Sequence, residues 1–538
     1  RNRGIEGEAA IDRYLNGTLD DLYDPMLLKD MERAVSILCE AVDTGKKIRI
    51  VGDYDIDGVC STYILLQAFE RLGSDVDFEI PDRIKDGYGI NESIIEQAHA
   101  DGVEVILTCD NGISAFHQVE LAKKYGMTVV ITDHHEVPLD GEKEKIPPAD
   151  AVIDPKQADC PYPFPEICGA VVAYKLVQVL YARRGVPQME WLDLLEFAAI
   201  ATVGDVMKLQ DENRILVKYG LKKMAQTKNL GLRRLAEKNN LDLGAITAYH
   251  IGFVIGPCLN AGGRLKTAKE ALALLRAQSE EEAERLAEEL KELNDTRKDM
   301  TEQGTEAAKL QVESWYQKDK VLVVFLPECH ESLAGIIAGR LREYYQKPAI
   351  VLTRGEEAVK GSGRSIDEYH MFKKLTEVSD LLLKFGGHPL AAGLSLEEKN
   401  IDEFRRRLNE NAGLTEEDFK AKVWIDVPMP VGYVTERLVR ELSCLEPFGQ
   451  GNEKPLFAEK SLRIRASRVL GRNRNVVKMT LEETDGHAIE ALYFGDGTAF
   501  EEERAGRREI DVVYYPDINE YNGRKTLQAV IRRYKFRG

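Results

Sequence analysis

Lys46-Lys47-Ile48-Arg49-Ile50-Val51-Gly52-Asp53-Tyr54-Asp55-Ile56-Asp57-Gly58 is an apolar alternation that ends in three aspartates spaced two apart. A strand ending this way projects carboxylates from its tip. Like charges this close stay ionised together only with cations between them, so the first expectation is a metal site at the C-terminal end of a strand. Two plainer readings use the same residues. Aspartate favours turns after strands. Asp-x-Asp-x-Asp-Gly also opens an EF-hand loop, which needs a bidentate glutamate at its twelfth position. The twelfth residue from Asp53 is Ile64, and an apolar strand precedes the loop where a helix belongs. The calcium reading fails on both counts. The turn reading is answered only by what other segments bring to the same edge.

Outward from this stretch, strands and helices alternate. Residues 48–51 read as a strand and 61–72 as a helix stopped at Gly73. A near-continuous apolar strand over 103–108 is followed by Cys109-Asp110-Asn111-Gly112, and then by a helix over 115–125. A buried strand over 127–131 leads into Thr132-Asp133-His134-His135-Glu136, and another over 151–153 into Asp154-Pro155. Continuous apolar strands separated by helices indicate a parallel sheet covered on both faces. In such sheets, sites lie outside the carboxyl ends of the strands. Asp53, Asp55 and Asp57, then Asp110, then Asp133-His134-His135 all fall there, and three strands delivering ligand types to one edge outweigh the turn reading.

The chain has 538 residues, enough for roughly three to four domains. No apolar run approaches the ~18 residues of a membrane span, and no membrane association is expected. The opening Arg1-Asn2-Arg3-Gly4 carries no apolar signal segment, which reads as a trimmed start. Eight cysteines occur without any Cys-x-x-Cys pair, which suits free thiols in a reducing cytosol and excludes a zinc ribbon or disulfide framework. The net charge of −18 argues against non-specific nucleic-acid binding by bulk charge. A nucleic-acid partner therefore requires a local basic path.

The pattern divides the chain into an N-terminal helical buttress over 1–45, an α/β parallel-sheet domain over 46–215, and a helical region over 216–318. A smaller α/β domain over 319–425 and a β domain over 426–538 follow. One helix is expected over 191–201, ahead of Thr202-Val203-Gly204-Asp205. A long connector helix is expected over 280–315, broken at Gly304, its Glu/Lys wealth being a solvated face. In the smaller α/β domain, strand 321–326, helix 333–345 and strand 349–352 precede two glycine-rich turns, Gly361-Ser362-Gly363-Arg364 and Gly386-Gly387-His388. Five β runs, over 462–469, 476–481, 488–494, 511–515 and 526–532, suggest a small barrel or sandwich at the end.

Asp53-Tyr54-Asp55-Ile56-Asp57-Gly58, Asp110-Asn111-Gly112 and Asp133-His134-His135, in this order and spacing, resemble the DHH phosphoesterase superfamily, and Gly204-Asp205 matches its fourth acidic motif. Gly386-Gly387-His388 with Ala391-Ala392-Gly393 resembles the associated substrate-binding DHHA1 domain. Gly87-Tyr88-Gly89, Gly256-Pro257-Cys258-Leu259-Asn260-Ala261-Gly262-Gly263-Arg264 and Pro447-Phe448-Gly449-Gln450-Gly451-Asn452 look like the RecJ single-strand exonucleases, and a C-terminal OB-like β-barrel completes the likeness. The sequence departs from that pattern at Cys258, where the family usually carries a basic residue. Any DNA contact there is left to Arg264.

The resemblance implies a metal-dependent hydrolase that degrades single-stranded DNA from 5′ to 3′ into mononucleotides, in recombination and repair. It assigns metal-ligand roles to Asp55, Asp57, Asp110, His134 and Asp205. Asp53 is a further ligand or an anchor behind them, Asp133 orients its neighbours, and His135 reaches the scissile phosphate. Two divalent ions roughly 3.5–4 Å apart would neutralise the phosphodiester and generate the nucleophile. Mixed oxygen and nitrogen ligands favour manganese or magnesium over zinc, and the family prefers manganese. Substrate contacts are expected from Arg83, Lys85, Tyr88, Asn260, Arg264, His330, Ser362, Arg364, Gly386, Gly387 and His388. His330 reads equally as a helix-start residue, and Tyr88 as a solvated loop tyrosine. Arg463, Arg465, Arg468, Arg472 and Arg474, with Tyr493, Phe494, Tyr514, Tyr515 and Tyr521, offer the C-terminal domain a basic and aromatic face, although half of these aromatics read as core. The implied partners are single-stranded DNA, a single-strand-binding protein and a repair helicase, for a monomer in the cytosol. Two other functions remain open on the same residues. One is a DHH phosphodiesterase for short oligoribonucleotides or cyclic dinucleotides. The other is a catalytically inactive DHH scaffold.

Overall fold

The computed structural model describes residues 2–83, 87–471, 473–521 and 524–538. Lys85, Arg472 and the side chain of Tyr521 lie outside the described residues. The first sheet is β1 (Ile48–Val51), β2 (Val76–Glu79), β3 (Val105–Cys109), β4 (Thr128–Thr132) and β5 (Ala151–Ile153). It is wholly parallel, in the order β2-β1-β3-β4-β5. The order reverses between β1 and β3, the crevice where open α/β sheets bind ligands. Three helices cover this region: α1 (Ile56–Arg71), α2 (Gly169–Arg184) and α3 (Leu195–Gly204), with α1 packed against the other two.

The edge strand β2 is absent from the sequence-based count. It reads Val-Asp-Phe-Glu and is only half-buried, so it lacks the continuous apolar signal. Asp77 in it pairs with Arg49 of β1 at 2.7 Å, which lets a buried strand carry an arginine. The expected helix over 191–201 is two helices, Gln188–Leu192 and α3, separated at Asp193 and Leu194.

The connector is α4 (Gly256–Leu265) followed by α5 (Glu280–Gln311), which runs on as a π-helical turn over Val312–Tyr316. α5 is unbroken at Gly304. A Cβ there would stand 2.6 Å from Ile337 Cδ1, so the glycine serves close packing against α6 (Ala334–Tyr345). The second sheet comprises β6 (Leu322–Phe325), β7 (Ala349–Arg354), β8 (Val359–Arg364), β9 (Leu382–Gly387) and β10 (Ala391–Leu396). Its order is β9-β10-β8-β7-β6. Gly361-Ser362-Gly363-Arg364 is thus the end of a central strand, not a turn. A Cβ at Gly361 would meet Leu352 and Leu394, so close packing between neighbouring strands requires the glycine. Gly386 and Gly387 likewise close a strand.

The chain divides into two compact units. Asp24–Asp205 and Gly220–Lys422 form the unit described so far. The other gathers Arg1–Tyr23, Val206–Tyr219 and Val423–Gly538, so the expected N-terminal buttress is shared between the two. In this second unit β11 (Phe457–Leu470), β12 (Val476–Glu482), β13 (Ala488–Phe494), β14 (Glu509–Tyr521) and β15 (Arg524–Arg537) run in the order β11-β12-β13-β15-β14. β14 pairs back onto β11, giving a partly closed sheet. Tyr514 is core, whereas Phe494 is exposed. The N-terminal segment is tied in by Arg3, paired with Asp426, and by the Tyr14 hydroxyl, which donates to Asn452 at 2.7 Å. All eight cysteines are free. Among the described residues no helix is long and apolar enough to cross a membrane.

Candidate metal centre and nucleic-acid cleft

The three aspartates of the opening stretch do not share one strand tip. Asp53 follows β1, Asp55 caps α1, and Asp57 lies in the first turn of that helix. The helix starts five residues before the sequence-based boundary because Asp55 Oδ1 accepts the amides of Asp57 at 2.9 Å and Gly58 at 3.1 Å, satisfying N–H groups that a helix start leaves free. Asp57 is fully buried, and its carboxylate accepts the amides of Gly169 and Ala170, each at 2.7 Å. These are the first residues of α2, where backbone donors and the helix dipole favour an anion.

β3 delivers Asp110 in a left-handed conformation, φ 60°. The next residue, Asn111, ties the strand ends together. Its amide donates to the carbonyls of Val51 and Cys109, and its oxygen accepts the amide of Ile90. β4 delivers Asp133, His134 and His135. His134 Nε2 lies 3.1 Å from Asp110 Oδ1, 3.5 Å from Asp57 Oδ2 and 3.8 Å from Asp205 Oδ2. Asp205 stands at the C-terminal end of α3. Every acidic and histidine residue expected at this edge is therefore brought together.

The electrostatics favour cations. Burial, and then the neighbouring Asp55 charge, push Asp53 well above the usual carboxylate range. Burial and the Asp57, Asp55 and Asp53 charges do the same to Asp110. Asp205 is raised to about 8 by burial and by Asp57 and Asp55. Burial lowers the pKa of His134, leaving the neutral imidazole that a metal needs. Asp53 Oδ1 and Asp110 Oδ1 are buried and make no hydrogen bond to protein atoms. Orphaned buried oxygens of this kind fit cation ligands. Three groups have ligand atoms within 4.8 Å of one another: Asp53, Asp55 and Asp110; Asp57, His134 and Asp205; and Asp110, His134 and His135.

Asp133 has a different task. Its carboxylate accepts the amides of Ile113 and His134 and lies 2.7 Å from Nδ1 of His135. Burial works against charge on His135, but the bond to Asp133 and its charge prevail and raise the ring to about 9. The side chain of His135 remains 42% exposed. The Tyr88 hydroxyl donates to the Asp110 carbonyl at 2.7 Å and lies 3.1 Å from the His135 ring, so Tyr88 is a bonded part of the edge.

A cleft of about 550 Å³ adjoins this edge and is lined by Tyr54, Arg83, Arg264, Ser332, Ser362 and Arg364, among others. Tyr54, between Asp53 and Asp55, connects the two features. Arg83 stacks on its ring at 4.9 Å, a role the motif alone does not reveal. Arg264 donates to the Ser332 carbonyl at 3.0 Å, and Arg364 to Ser362 Oγ at 3.2 Å. Burial and the charges of Arg83 and Arg297 push Arg264 down to about 10. Among the described residues none of these cleft arginines is paired with a carboxylate; Glu331 also lines the wall, and Arg83, Arg264, Arg364 and Lys360 outweigh it, so the cleft favours an anion.

Other expected contacts are placed differently. His330 caps a helical turn and sits 2.8 Å from Ser332 Oγ, outside the cleft wall. Asn260 is half-buried on α4 and also outside that wall. Gly386 and His388 are exposed, with open space beside Gly386. Gly387 has φ 146°, and a Cβ there would strike the Ala391 carbonyl. Cys258 is buried and accepts from Asn294 of α5 at 3.4 Å, so this position faces the connector helix. Gly169 and Ala170 were missed. They act through backbone amides, which leave no side-chain signature.

Residues 47–202 match the DHH family, N-terminal domain; 318–413 match the DHHA1 domain; and 425–533 match the RecJ OB domain. The single-stranded-DNA-specific exonuclease RecJ of Bacillus subtilis is 37% identical over 98% of this chain, which spans 66% of that relative's length. The protein of the same description from Haemophilus influenzae is 33% identical over 99% of this chain and 94% of its own. The crystal structure of RecJ from Thermus thermophilus in complex with Mn2+ superposes with a TM-score of 0.83 at 29% identity, covering 98% of this chain and 74% of that one. The same protein in complex with Mg2+ gives 0.76. With the acidic edge, the DHHA1 sheet and the OB sheet all in place, this chain belongs to the RecJ family of DHH phosphoesterases.

Proposed function

We propose that the chain is a metal-dependent exonuclease that degrades single-stranded DNA from its 5′ end to mononucleotides, in recombination and repair. One observation carries the reading: a carboxylate edge suited to divalent ions opens beside a cleft of about 550 Å³ lined by arginines that no carboxylate pairs. Asp53, Asp55 and Asp110 would hold one ion, and Asp57, His134 and Asp205 a second, with Asp110 Oδ1 3.1 Å from His134 of the second group. Manganese is the preferred ion and magnesium the alternative. Bound there, the ions supply neutralisation of the scissile phosphate and acidify the attacking water.

The chain's own residues do the rest. The α2 amides hold the Asp57 carboxylate in place. Asp133 keeps the His135 ring charged and oriented, and the open face of that ring meets a phosphate oxygen. Arg83, Arg264 and Arg364, with Ser362, hold a terminal phosphate, which makes a strand end the substrate. The 5′-to-3′ direction is carried over from the family resemblance. The OB sheet is a second element that binds single strands, and Gly386, Gly387 and His388 are further substrate contacts of the DHHA1 sheet. The protein acts as a monomer in the cytosol at the nucleoid, with a single-strand-binding protein and a repair helicase as partners.

Digestion with Mn2+ of strands blocked at the 5′ or the 3′ end tests activity, substrate and polarity together. Only the strand with a free 5′ end is expected to shorten, releasing mononucleotides. Asp110→Ala and His134→Ala are each expected to lower the rate by more than ~100-fold. Intact activity in either variant sinks the mechanism.

A further inference from the structure

Helix Ala248–His250, the π-helical turn Ile251–Ile255 and α4 form one continuous helical run across the metal edge. Glycines make its inner face. A Cβ at Gly252 would lie 3.6 Å from Val203 Cγ1, and one at Gly256 3.3 Å from Ile56 Cδ1, while one at Gly263 would strike the Tyr54 carbonyl. The run therefore crosses the segments that carry Asp205, then Asp55 and Asp57, then Asp53. Flanking the glycines is a stripe of Tyr249, Phe253, Pro257, Asn260 and Arg264, at helical spacing, exposed at Tyr249 and Phe253 and half-buried at the other three. Arg264, at one end of this stripe, lines the arginine cleft.

At the other end Tyr249 and Phe253 are 63% and 66% exposed. Their rings stack on each other, with centroids 4.8 Å apart and planes 26° apart. A single exposed aromatic needs no explanation. A preformed pair of rings on the same face as a cleft arginine, beside a π-helical turn of the kind that marks functional sites, does.

We infer that Tyr249 and Phe253 form a stacking platform for bases on the 3′ side of the scissile phosphate. The inference rests on the nuclease reading. With the 5′ end held at Arg264 and the metal edge beneath the middle of the run, the rest of the strand leaves over the far end. Phe253 and Tyr249 lie roughly 16 and 22 Å from Arg264 along a helix, beyond the first nucleotide. Stacking tolerates any base because every base has a π-face. A duplex, with its bases already stacked and paired, offers these rings no free face, so the platform also favours single strands.

The test uses the full chain, a 5′-phosphorylated oligothymidylate about 20 nucleotides long, and a 5′-phosphorylated dinucleotide that ends just past the cut. In the double variant Tyr249→Ala/Phe253→Ala, the KM for the long strand is expected to rise on the order of 10-fold or more, with kcat/KM for the dinucleotide within about 2-fold of the parent. Phe253→Trp, in the Tyr249-containing chain, is expected to keep the low KM. With Ca2+ in place of Mn2+, 2-aminopurine at the third or fourth nucleotide is expected to be quenched by the parent and not by the double variant. Equal loss on both substrates, an unchanged KM, or quenching that persists in the double variant overturns the inference. Because quenching is read without turnover, a parent protein that quenches the probe but cuts neither substrate would overturn the nuclease reading and support the platform.

Discussion

The Asp57 carboxylate and the Gly169 amide are joined at 2.7 Å, which places the start of α2 directly behind the metal edge. Gly169 is also a spacer: a Cβ there would stand 2.7 Å from the Asp110 Cβ. Gly169→Ala must therefore displace Asp110 or withdraw the amide from Asp57. The expected result is a 10- to 100-fold loss of Mn2+ affinity, roughly the cost of losing a group that supports a metal ligand, at a stability cost of about 1–3 kcal/mol for overpacking. Calorimetric titration of Mn2+ into the folded variant checks it, and an unchanged affinity would show that the loop relaxes freely.

The pair of His135 and Asp133 predicts a pH signature in metal-free protein. Because the folded-state ring is raised from 6.5 to about 9, its stabilising contribution is complete below pH 6.5 and disappears as pH rises through 9. With a half-open ring the size is on the order of 1 kcal/mol or less. Histidine NMR titration should find one ring charged at pH 8. In Asp133→Asn that ring should titrate in the ordinary range or below, where burial prevails. A parent ring that titrates near 6.5 defeats the proposal.

Asp205 gives the second pH dependence. Its folded-state carboxyl is raised to about 8 from 3.8, and Asp53 and Asp110 shift the same way. Metal-free protein is therefore most stable when these groups are protonated and loses stability as pH climbs through 8. Divalent ions take the place of those protons. At one fixed Mn2+ concentration the Mn2+-induced rise in melting temperature should be larger at pH 8.5 than at pH 6, because the apparent Kd is lower where fewer protons compete; a ratio of about 100 between concentration and Kd is worth ~2.7 kcal/mol. Melting curves with and without Mn2+ decide, and equal shifts at both pH values would count against this account.

Two glycines of one helical run should respond in opposite ways. Gly263→Ala drives a methyl into the Tyr54 carbonyl in the loop that carries Asp53 and Asp55. It should cost about 1–3 kcal/mol and weaken metal binding. Gly252→Ala finds its nearest neighbour at 3.6 Å, an ordinary contact. It should be neutral or stabilise by up to ~1 kcal/mol. Chemical denaturation of both variants checks the contrast.

The sheet and its acidic edge were legible because they depend on side chains in sequence order. Continuous apolar strands announce burial on both faces, and Asp110 and His134 each follow one of them. What escaped depends on other things. The start of α1 at Ile56 follows from what the Asp55 side chain bonds to, and the spacing of aspartates does not encode that. Gly169 and Ala170 act through amides common to almost every residue. β2 escaped because an edge strand needs apolar residues on one face only. Gly361-Ser362-Gly363-Arg364 looked like a turn because glycine there serves packing between strands. The cleft joins Arg83, Arg264 and Arg364 from distant parts of the chain, and only the tertiary structure shows that they converge.

The ties between the first residues and the last domain have a consequence during synthesis. The Tyr14 hydroxyl meets Asn452 across 438 residues of sequence, and Arg3 meets Asp426 across 423. At about 5–20 residues per second on the ribosome, the N-terminal segment waits roughly 20–90 seconds for its partners while the sheet of β1 to β5 is already complete. A nascent chain can thus possess its whole acidic edge well before its strand-binding sheet exists. The short helix Glu8–Asn16, which buries none of its residues, goes through that interval without the partner that Tyr14 finds in Asn452.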